Sequence, residues 1–429
     1  MPERPVPASA IWALGLTQII GYGTLYYSFS ILAPAMAREF GLSEGWVFAA
    51  LSASLFAGSL FAPIAGRWAD RFGAGRIMTV GSVAAALALA LCALAPGRTT
   101  FVLALLAMEL SSSFVLYSAA FVAIVQIAAP RPQRSITHLT LIAGFASTLF
   151  WPLTSALHDY LTWREVYLVF AALNLGLCLP IHAWLMWLSR RNGAEPPRAD
   201  EFSPAVEAVA KLDPRHRQAV FLLMLAGFAI EGFVLSAILI HMVPLTAALG
   251  LGATGLAVSA SFGPAQVASR LINMLFGGRL SQTYLAVVAA SLLMAGLCML
   301  LVTTPWAPGA FLFVILFGLG SGLTSIVGGT LPLELFGRNG YGARLGWVSA
   351  ARQFTSAFAP FVFALMMARV SVTGALWVLA ATSASGVVAF LAIVLVNRHD
   401  SRVASVGKNR EAFAFAEEPA TVKYAPSPE

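Results

Sequence analysis

Glu109 and Glu231 are the only two of the chain's 19 acids that fall well inside long apolar runs; Glu334 sits at the end of another. Arg270 and Arg352 are the basic residues inside such runs, and none of the three lysines, Lys211, Lys408 and Lys423, joins them. Ionisable groups held among apolar residues are costly, and they mark places where ions bind, protons pass or charges pair. A desolvated carboxylate can change protonation as its surroundings change. A guanidinium offers an anion several fixed donors. Neutral polar groups accompany these charges at helical spacing. Gln18, Tyr22 and Tyr26 recur every four residues, as do Glu109, Ser113 and Tyr117, so each trio shares one helix face. Gln266 stands four residues before Arg270, and Arg352 is followed by Gln353 and Ser356. Together these side chains could hold a small polar or anionic solute.

The elements that carry them must be membrane spans. The chain of 429 residues is 59% hydrophobic and only 10% charged, with a mean hydropathy of +0.81. A water-facing domain carries roughly 25% charged residues. About 20 apolar residues cross a bilayer as a helix, and the continuous runs here favour helices over an alternating barrel strand pattern. Twelve spans are expected, near 10–33, 46–65, 76–95, 101–128, 136–157, 165–188, 219–244, 252–276, 282–303, 309–332, 343–368 and 372–396. The first run is too long for a cleavable signal segment. Residues 190–217 form a charged, Pro-bearing loop, and 397–429 a polar, flexible tail. The domain plan is a first half over 1–189, the central loop over 190–217, a second half over 218–396 and the tail. With the N-terminus in the cytoplasm, the far loops carry Arg38, Arg98, Arg164 and Arg369. Arg270 and Arg352 lie within spans, which leaves 20 of the 26 Lys and Arg on the inner side. That bias places both termini and the central loop in the cytoplasm. The halves also repeat: Thr148-Leu-Phe-Trp-Pro152 in the fifth span matches Ser356-Ala-Phe-Ala-Pro360 in the eleventh, 208 positions on. A similar match joins Pro34–Leu42 and Pro244–Leu251. Cys92, Cys178 and Cys298 lie in separate apolar runs and read as small buried hydrophobes. No spacing suggests a disulfide framework or a metal site.

Between the second and third spans stands Gly66-Arg-Trp-Ala-Asp70-Arg71-Phe-Gly73-Ala-Gly75-Arg76. This loop resembles the signature loop of the major facilitator superfamily: a glycine, then Asp-Arg, then a glycine and a basic residue. The resemblance covers the whole membrane region. It implies an all-α fold of twelve transmembrane helices in two pseudo-symmetric six-helix halves. It also implies secondary transport by alternating access. Gly66 and Gly73 permit close approach and a tight turn, and Arg71 and Arg76 suit an anionic leaflet. The family makes this loop a conformational latch, its Asp70 facing the start of the eleventh helix near Tyr341 to Arg344. The equivalent joint, Gly277-Gly278-Arg279-Leu280-Ser281, lacks the acid.

The same resemblance puts helices 1, 4, 7 and 10 around a central cavity, with 2, 5, 8 and 11 contributing. Gln18, Tyr22, Tyr26, Ser113, Tyr117, Gln266, Arg270, Arg352 and Gln353 are then the expected substrate contacts, with a gating pair as the alternative role for Arg270 and Arg352. Glu231 and Glu109 are the expected proton-coupling acids. His182 and His241 read as packing or interface residues. The first helix, Gly21-Tyr-Gly-Thr-Leu-Tyr-Tyr-Ser-Phe-Ser30, is similar to that of monocarboxylate and oxalate–formate porters and of arsenite-efflux members. It departs from the former: Gln266 stands where an acid is usual, and the first helix has no lysine. Readings left open are proton-coupled movement of a polar or anionic solute, efflux of arsenite or a drug-like compound, and a receptor or sensor on a transporter fold. Against the last, the central loop and tail are too short for a folded output domain. An enzyme is not expected, for there is no nucleotide-binding loop, metal cluster or nucleophile–base pair. The expected partners are a small solute, protons and the bilayer, without nucleic acid, cofactor or metal. The chain is expected to act as a monomer in a plasma membrane, the bacterial inner membrane among the candidates.

Overall fold

The computed structural model describes residues 8–127, 132–191, 212–252, 254–277 and 280–416, with no side chain described at 191 or over 401–416. Twelve helical spans follow one another. Span α1 runs Ala8–Tyr22, widens into a π-helical turn over Gly23–Tyr27, and continues as Ser28–Phe40. Next come α2 (Glu44–Phe72), α3 (Ala74–Ala93) and α4 (Arg98–Val115 with Tyr117–Ile127). Span α5 comprises Pro132–Ala143 and Ala146–His158, and α6 comprises Trp163–Leu173, a second π turn over Asn174–Cys178, and Leu179–Arg191. The second half holds α7 (Arg217–Ala248), α8 (Thr254–Ala260 with Phe262–Phe276), α9 (Gln282–Thr303), α10 (Ala307–Phe336), α11 (Tyr341–Arg369) and α12 (Val372–Ala416).

Most helices outrun the spans expected from hydropathy. An apolar window marks only the hydrocarbon core, whereas backbone hydrogen bonding continues into the interface. The expected boundary at 397 falls inside α12; 192–211 of the central loop and 417–429 of the tail lie outside the described residues. Turns are placed by residues suited to them. Gly41 ends α1 in the left-handed region (φ 61°), Ser43 Oγ accepts from Trp46 N–H at 3.2 Å to start α2, and Gly73 (φ 89°) turns the chain between α2 and α3. Among the described residues, nine spans are long and apolar enough to cross a membrane. The other three, α1, α8 and α11, are the ones that carry Gln18 and the tyrosines, Gln266 and Arg270, and Arg352 and Gln353.

An even number of spans brings the first and last helices to one end of the bundle, called here the terminal end. The two ends are packed differently. At the far end each half has its own apolar core: Phe29, Phe101, Trp163, Tyr167 and Phe170 in the first, Leu245, Phe313, Phe317, Phe363 and Leu376 in the second. A polar knot secures the far end of the first half. Arg164 Nε meets Glu39 Oε1 at 2.7 Å and its other nitrogens donate to the carbonyls of Ala93 and Ala95, while Arg98 Nε donates to Phe40 O at 3.1 Å. At the terminal end one core joins both halves: Ala69, Phe121, Val125 and Ile136 pack with Leu333, Tyr341 and Leu345.

Candidate functional site

Five spans, α1, α4, α5, α6 and α8, are interrupted, and Gln18, Tyr22, Tyr26, Tyr117 and Arg270 lie at or beside interruptions, while Glu231, Arg352 and Gln353 stand on the continuous α7 and α11. In a membrane a broken helix must find partners for its freed backbone groups, and such breaks line binding sites in transporters. Span α4 breaks at Leu116, whose backbone is extended (φ −82°, ψ −168°). Gln18 of α1 answers that break: its Nε2 donates to Val115 O at 2.8 Å. Gln18 is fully buried and its Oε1 has no hydrogen-bond partner.

The π turn of α1 carries one extra residue per turn, and this alters which tyrosines meet. Tyr22 packs on Tyr117 (ring centroids 4.7 Å apart), and Tyr117 stacks on Phe121 (5.2 Å). The next ring on this face is Tyr27, 6.4 Å from Tyr22 and 5.8 Å from Trp151 of α5. Tyr26, four residues after Tyr22, meets Tyr27 edge-on at 5.3 Å and is half exposed. Tyr27 and Trp151 were not singled out in the sequence, because a strict four-residue repeat passes over an i,i+5 neighbour. Asn174, at the start of the π turn in α6, donates from Nδ2 to Thr24 Oγ1 at 3.1 Å and ties the two turns together.

Arg270 lies at the break of α5 and is 4% exposed. Its Nη1 donates to Thr140 O at 2.9 Å, across the interface between the halves; Nη2 donates to Ser325 Oγ of α10 at 3.1 Å. The buried Nε has no partner. Gly144 makes room for the guanidinium, since a Cβ there would lie 2.4 Å from Nη1. Gln266, one turn earlier on α8, donates to Ser321 Oγ at 2.9 Å. Ser118 and Ser349 bridge α4 and α11 with their hydroxyls 2.7 Å apart. Ser113 and Gln353 are partly buried on α4 and α11.

Glu231 is 3% exposed in the middle of α7; the Thr324 hydroxyl of α10 lies beside its carboxylate, but no well-formed hydrogen bond reaches either oxygen. Arg352 of α11 is within Coulombic reach of it, though no ion pair joins them. The two helices touch closely beside the acid: a Cβ on Gly232 would lie 2.7 Å from Arg352 O and 2.8 Å from its Cγ. Arg352 and Arg270 also act electrostatically on Tyr27 and Tyr117. Tyr22, Tyr26, Tyr27 and Tyr117 thus lie on the side of Arg352, with Arg270 toward Tyr27 and Tyr117; Glu231 is linked to them through Arg352, and Glu109 through Tyr26. Glu109 lies nearer the far end of α4, 5% exposed, its Cβ 3.5 Å from a Cβ placed on Gly58 of α2. His182 pairs with Ser82 Oγ at 2.7 Å between α3 and α6, and His241 packs against Phe363, both away from these groups. Among the described residues no group of three or more His, Cys, Asp or Glu could hold a metal ion.

The loop between α2 and α3 meets the opposite half. Asp70 accepts from Gly342 N–H through Oδ1 and from Ala343 N–H through Oδ2, both at 2.8 Å. Those N–H groups belong to the first turn of α11, which has no partner of its own for them and carries the positive end of the helix dipole. Gly66 lets the helices touch, for a Cβ there would lie 2.0 Å from Gly342 O. Arg71 and Arg76 are exposed beside this contact.

The family model for the Major Facilitator Superfamily matches residues 14–338. The chain belongs to this superfamily. As a major facilitator protein it is a multi-pass membrane transporter and not an enzyme. Solved structures share the fold. The MFS proton:xylose symporter XylE bound to 6-bromo-6-deoxy-D-glucose aligns with a TM-score of 0.68 and 14% identity, over 90% of this chain and 95% of that one. The MFS transporter FucP in the outward conformation gives 0.62 and 13%, over 89% and 98%. The human organic anion transporter MFSD10 (TETRAN) gives 0.62 and 14%, over 91% and 100%. No curated protein matches this major facilitator chain by sequence.

Proposed function

We propose that this transporter moves a small anionic solute, with Arg270 and Arg352 as its charge partners and Glu231 as the proton-coupling acid. The observation that carries the reading is Glu231 itself: a buried carboxylate with no ion pair and no well-formed hydrogen bond, beside the Thr324 hydroxyl and in Coulombic reach of one guanidinium. A carboxylate so placed changes protonation when an anion competes for its arginine or when water reaches it, which is the property a coupling site needs. Gln18, Tyr22, Tyr26, Ser113, Tyr117, Gln266 and Gln353 would supply neutral hydrogen bonds and aromatic faces, and Tyr27 and Trp151 join them on geometric grounds. Glu109 is the second candidate for proton transfer. Arg270 would also act as a gate, because the carbonyl it holds belongs to the opposite half and an incoming anion would compete for the same nitrogens.

Small carboxylates fit this chemistry best, in keeping with the resemblance to the monocarboxylate and oxalate–formate branches. Arsenite efflux is the weaker reading, since trivalent arsenic favours thiolates and none of the three cysteines lies among these residues. A bacterial inner-membrane monomer with both termini, the loop 190–217 and the tail from 397 in the cytoplasm completes the proposal. On that orientation the joined terminal end is the cytoplasmic one, and this conformation faces outward.

Reconstituted vesicles test it. Glu231→Gln keeps the shape of the side chain but removes its titration. It should abolish pH-driven accumulation of a radiolabelled carboxylate while leaving exchange across the membrane largely intact. Wild-type proton-driven accumulation in that variant between pH 5.5 and 8 would return Glu231 to a structural role and leave Glu109 as the coupling acid.

A further inference from the structure

Each half joins its second and third helices by a short turn at the terminal end, and in each half a side chain from the fourth helix reaches that turn. In the first half it is Gln126 of α4. Its Oε1 accepts from Ala74 N–H, the first donor of α3, at 2.8 Å, and its Nε2 donates to Ala69 O, near the end of α2, at 3.0 Å. In the second half it is Glu334 of α10. Its Oε2 accepts from Gln282 N–H, the first donor of α9, at 2.7 Å; its Oε1 accepts from Ser281 Oγ at 2.6 Å and Thr283 N–H at 3.3 Å. Gln126 and Glu334 are 208 positions apart, and so are Ala74 and Gln282. The two side chains therefore cap corresponding helix starts in the two repeats, and Gln126 alone also holds the end of the preceding helix among the described contacts.

The repeats differ in where the acid stands. The position 208 after Asp70 is Gly278. The first half carries its carboxylate on the turn, where it reaches across to α11, and its cap is a neutral amide. The second half carries its carboxylate on the cap, directed at its own backbone. The chemistry of Gln126 suits this arrangement in two ways. An amide can donate to Ala69 O and accept from Ala74 N–H at once, which an ionised carboxylate cannot. A carboxylate at 126 would add a second negative charge beside Asp70, the residue that follows Ala69.

We infer that Gln126 is the positioning residue of the latch: it clamps both sides of the turn at Gly73 so that Asp70 presents both oxygens to Gly342 and Ala343. Glu334 caps the start of α9 in the second half, where the position matching Asp70 is a glycine, so of these two carboxylates Asp70 alone reaches across to the other half. The inference rests on the reading of Asp70 as a latch, and the experiment separates the two.

Spin labels on Arg67 at the end of α2 and Asn339 ahead of α11, both exposed, report the separation of the halves at the terminal end by pulsed electron–electron resonance in lipid nanodiscs. Asp70→Asn should raise the population at long distance; no change there overturns the latch and this inference with it. Gln126→Glu should raise the long-distance to short-distance ratio by roughly fivefold, the scale of a lost buried hydrogen bond. Gln126→Met, neutral and of similar length, should move it the same way by less, and serves if the charged variant does not fold. A change in Asp70→Asn with none in either Gln126 variant overturns the inference and leaves the latch standing. In the double variant of Asp70→Asn and Gln126→Glu, the effects should not add, because one residue acts through the other; full additivity would reduce Gln126 to a local stabiliser. Glu334→Gln should leave the distances unchanged, and widening equal to that of Gln126→Glu would overturn the asymmetry.

Discussion

Arg270 has one hand on each half of the protein: Thr140 O across the interface and Ser325 Oγ on its own side. Its remaining buried Nε is free for a further partner. Three donors in fixed directions are a property of guanidinium that an ammonium does not share. Arg270→Lys keeps the charge and gives up that fork. One or two charge-assisted hydrogen bonds would go, each worth about 1.5–3 kcal/mol. Uptake assays should then show an apparent affinity for the anion lower by about tenfold or more, with the protein still present in the membrane at normal amounts. Unchanged affinity would mean that Arg270 serves packing and the gate alone. Glu231 completes the picture at this scale. Glutamine keeps the size of the side chain and can still accept from the Thr324 hydroxyl beside it, so the replacement should cost little stability, and any loss of coupling can be assigned to titration.

Helices α2 and α11 are the pair on which the closed end depends, and their contact is made of backbone. A Cβ on Gly66 would come within 2.0 Å of Gly342 O and 2.7 Å of its carbonyl carbon. Neither atom can swing aside as the tip of a side chain could. Gly66→Ala should therefore push the helices apart, draw Asp70 away from Gly342 and Ala343, and depress transport severely. Thiol labelling from the terminal side, at a cysteine introduced on α11, should become faster in this variant; labelling and transport at wild-type rates would show that the helices accommodate the methyl group. The existence of these elements was legible from composition, because long apolar runs have few alternatives in a bilayer. Their interruptions were not. Leu116 is an ordinary hydrophobe in an apolar run, with no glycine or proline beside it to mark the break in α4. Tyr27 was hidden by the π turn, which shifts the repeat by one residue. The partner that Arg270 takes from α5 is a main-chain oxygen, and no side-chain pattern announces it. Gln126 reads in the sequence as one more polar residue at a helix end. Glu231, Arg270 and Arg352 stood out for the opposite reason, since charge among so many apolar residues is conspicuous by its cost.

The whole molecule is two six-helix halves, each with its own core at the far end and joined by a shared core at the terminal end. Which end faces the cytoplasm can be measured directly. A cysteine introduced as Asn192→Cys, just beyond α6, should resist an impermeant thiol reagent added to intact cells and react once the membrane is opened; ready labelling in intact cells would invert the proposed orientation. The distribution of polarity among the spans has a bearing on biogenesis as well. The three spans outside the nine that meet both length and hydropathy, α1, α8 and α11, hold Gln18, Tyr22 and Tyr26, Gln266 and Arg270, and Arg352 and Gln353, whereas Glu231 and Tyr117 lie on the more apolar α7 and α4. A nascent span enters lipid from the translocon on its own hydrophobicity, so these three need their neighbours when they leave it. Span α8 emerges just after α7, α11 just after α10, and α1 must be retained until α2 is made. Part of the polarity that would handle a solute in the finished transporter thus sits on spans expected to lean on strongly apolar neighbours as they leave the translocon.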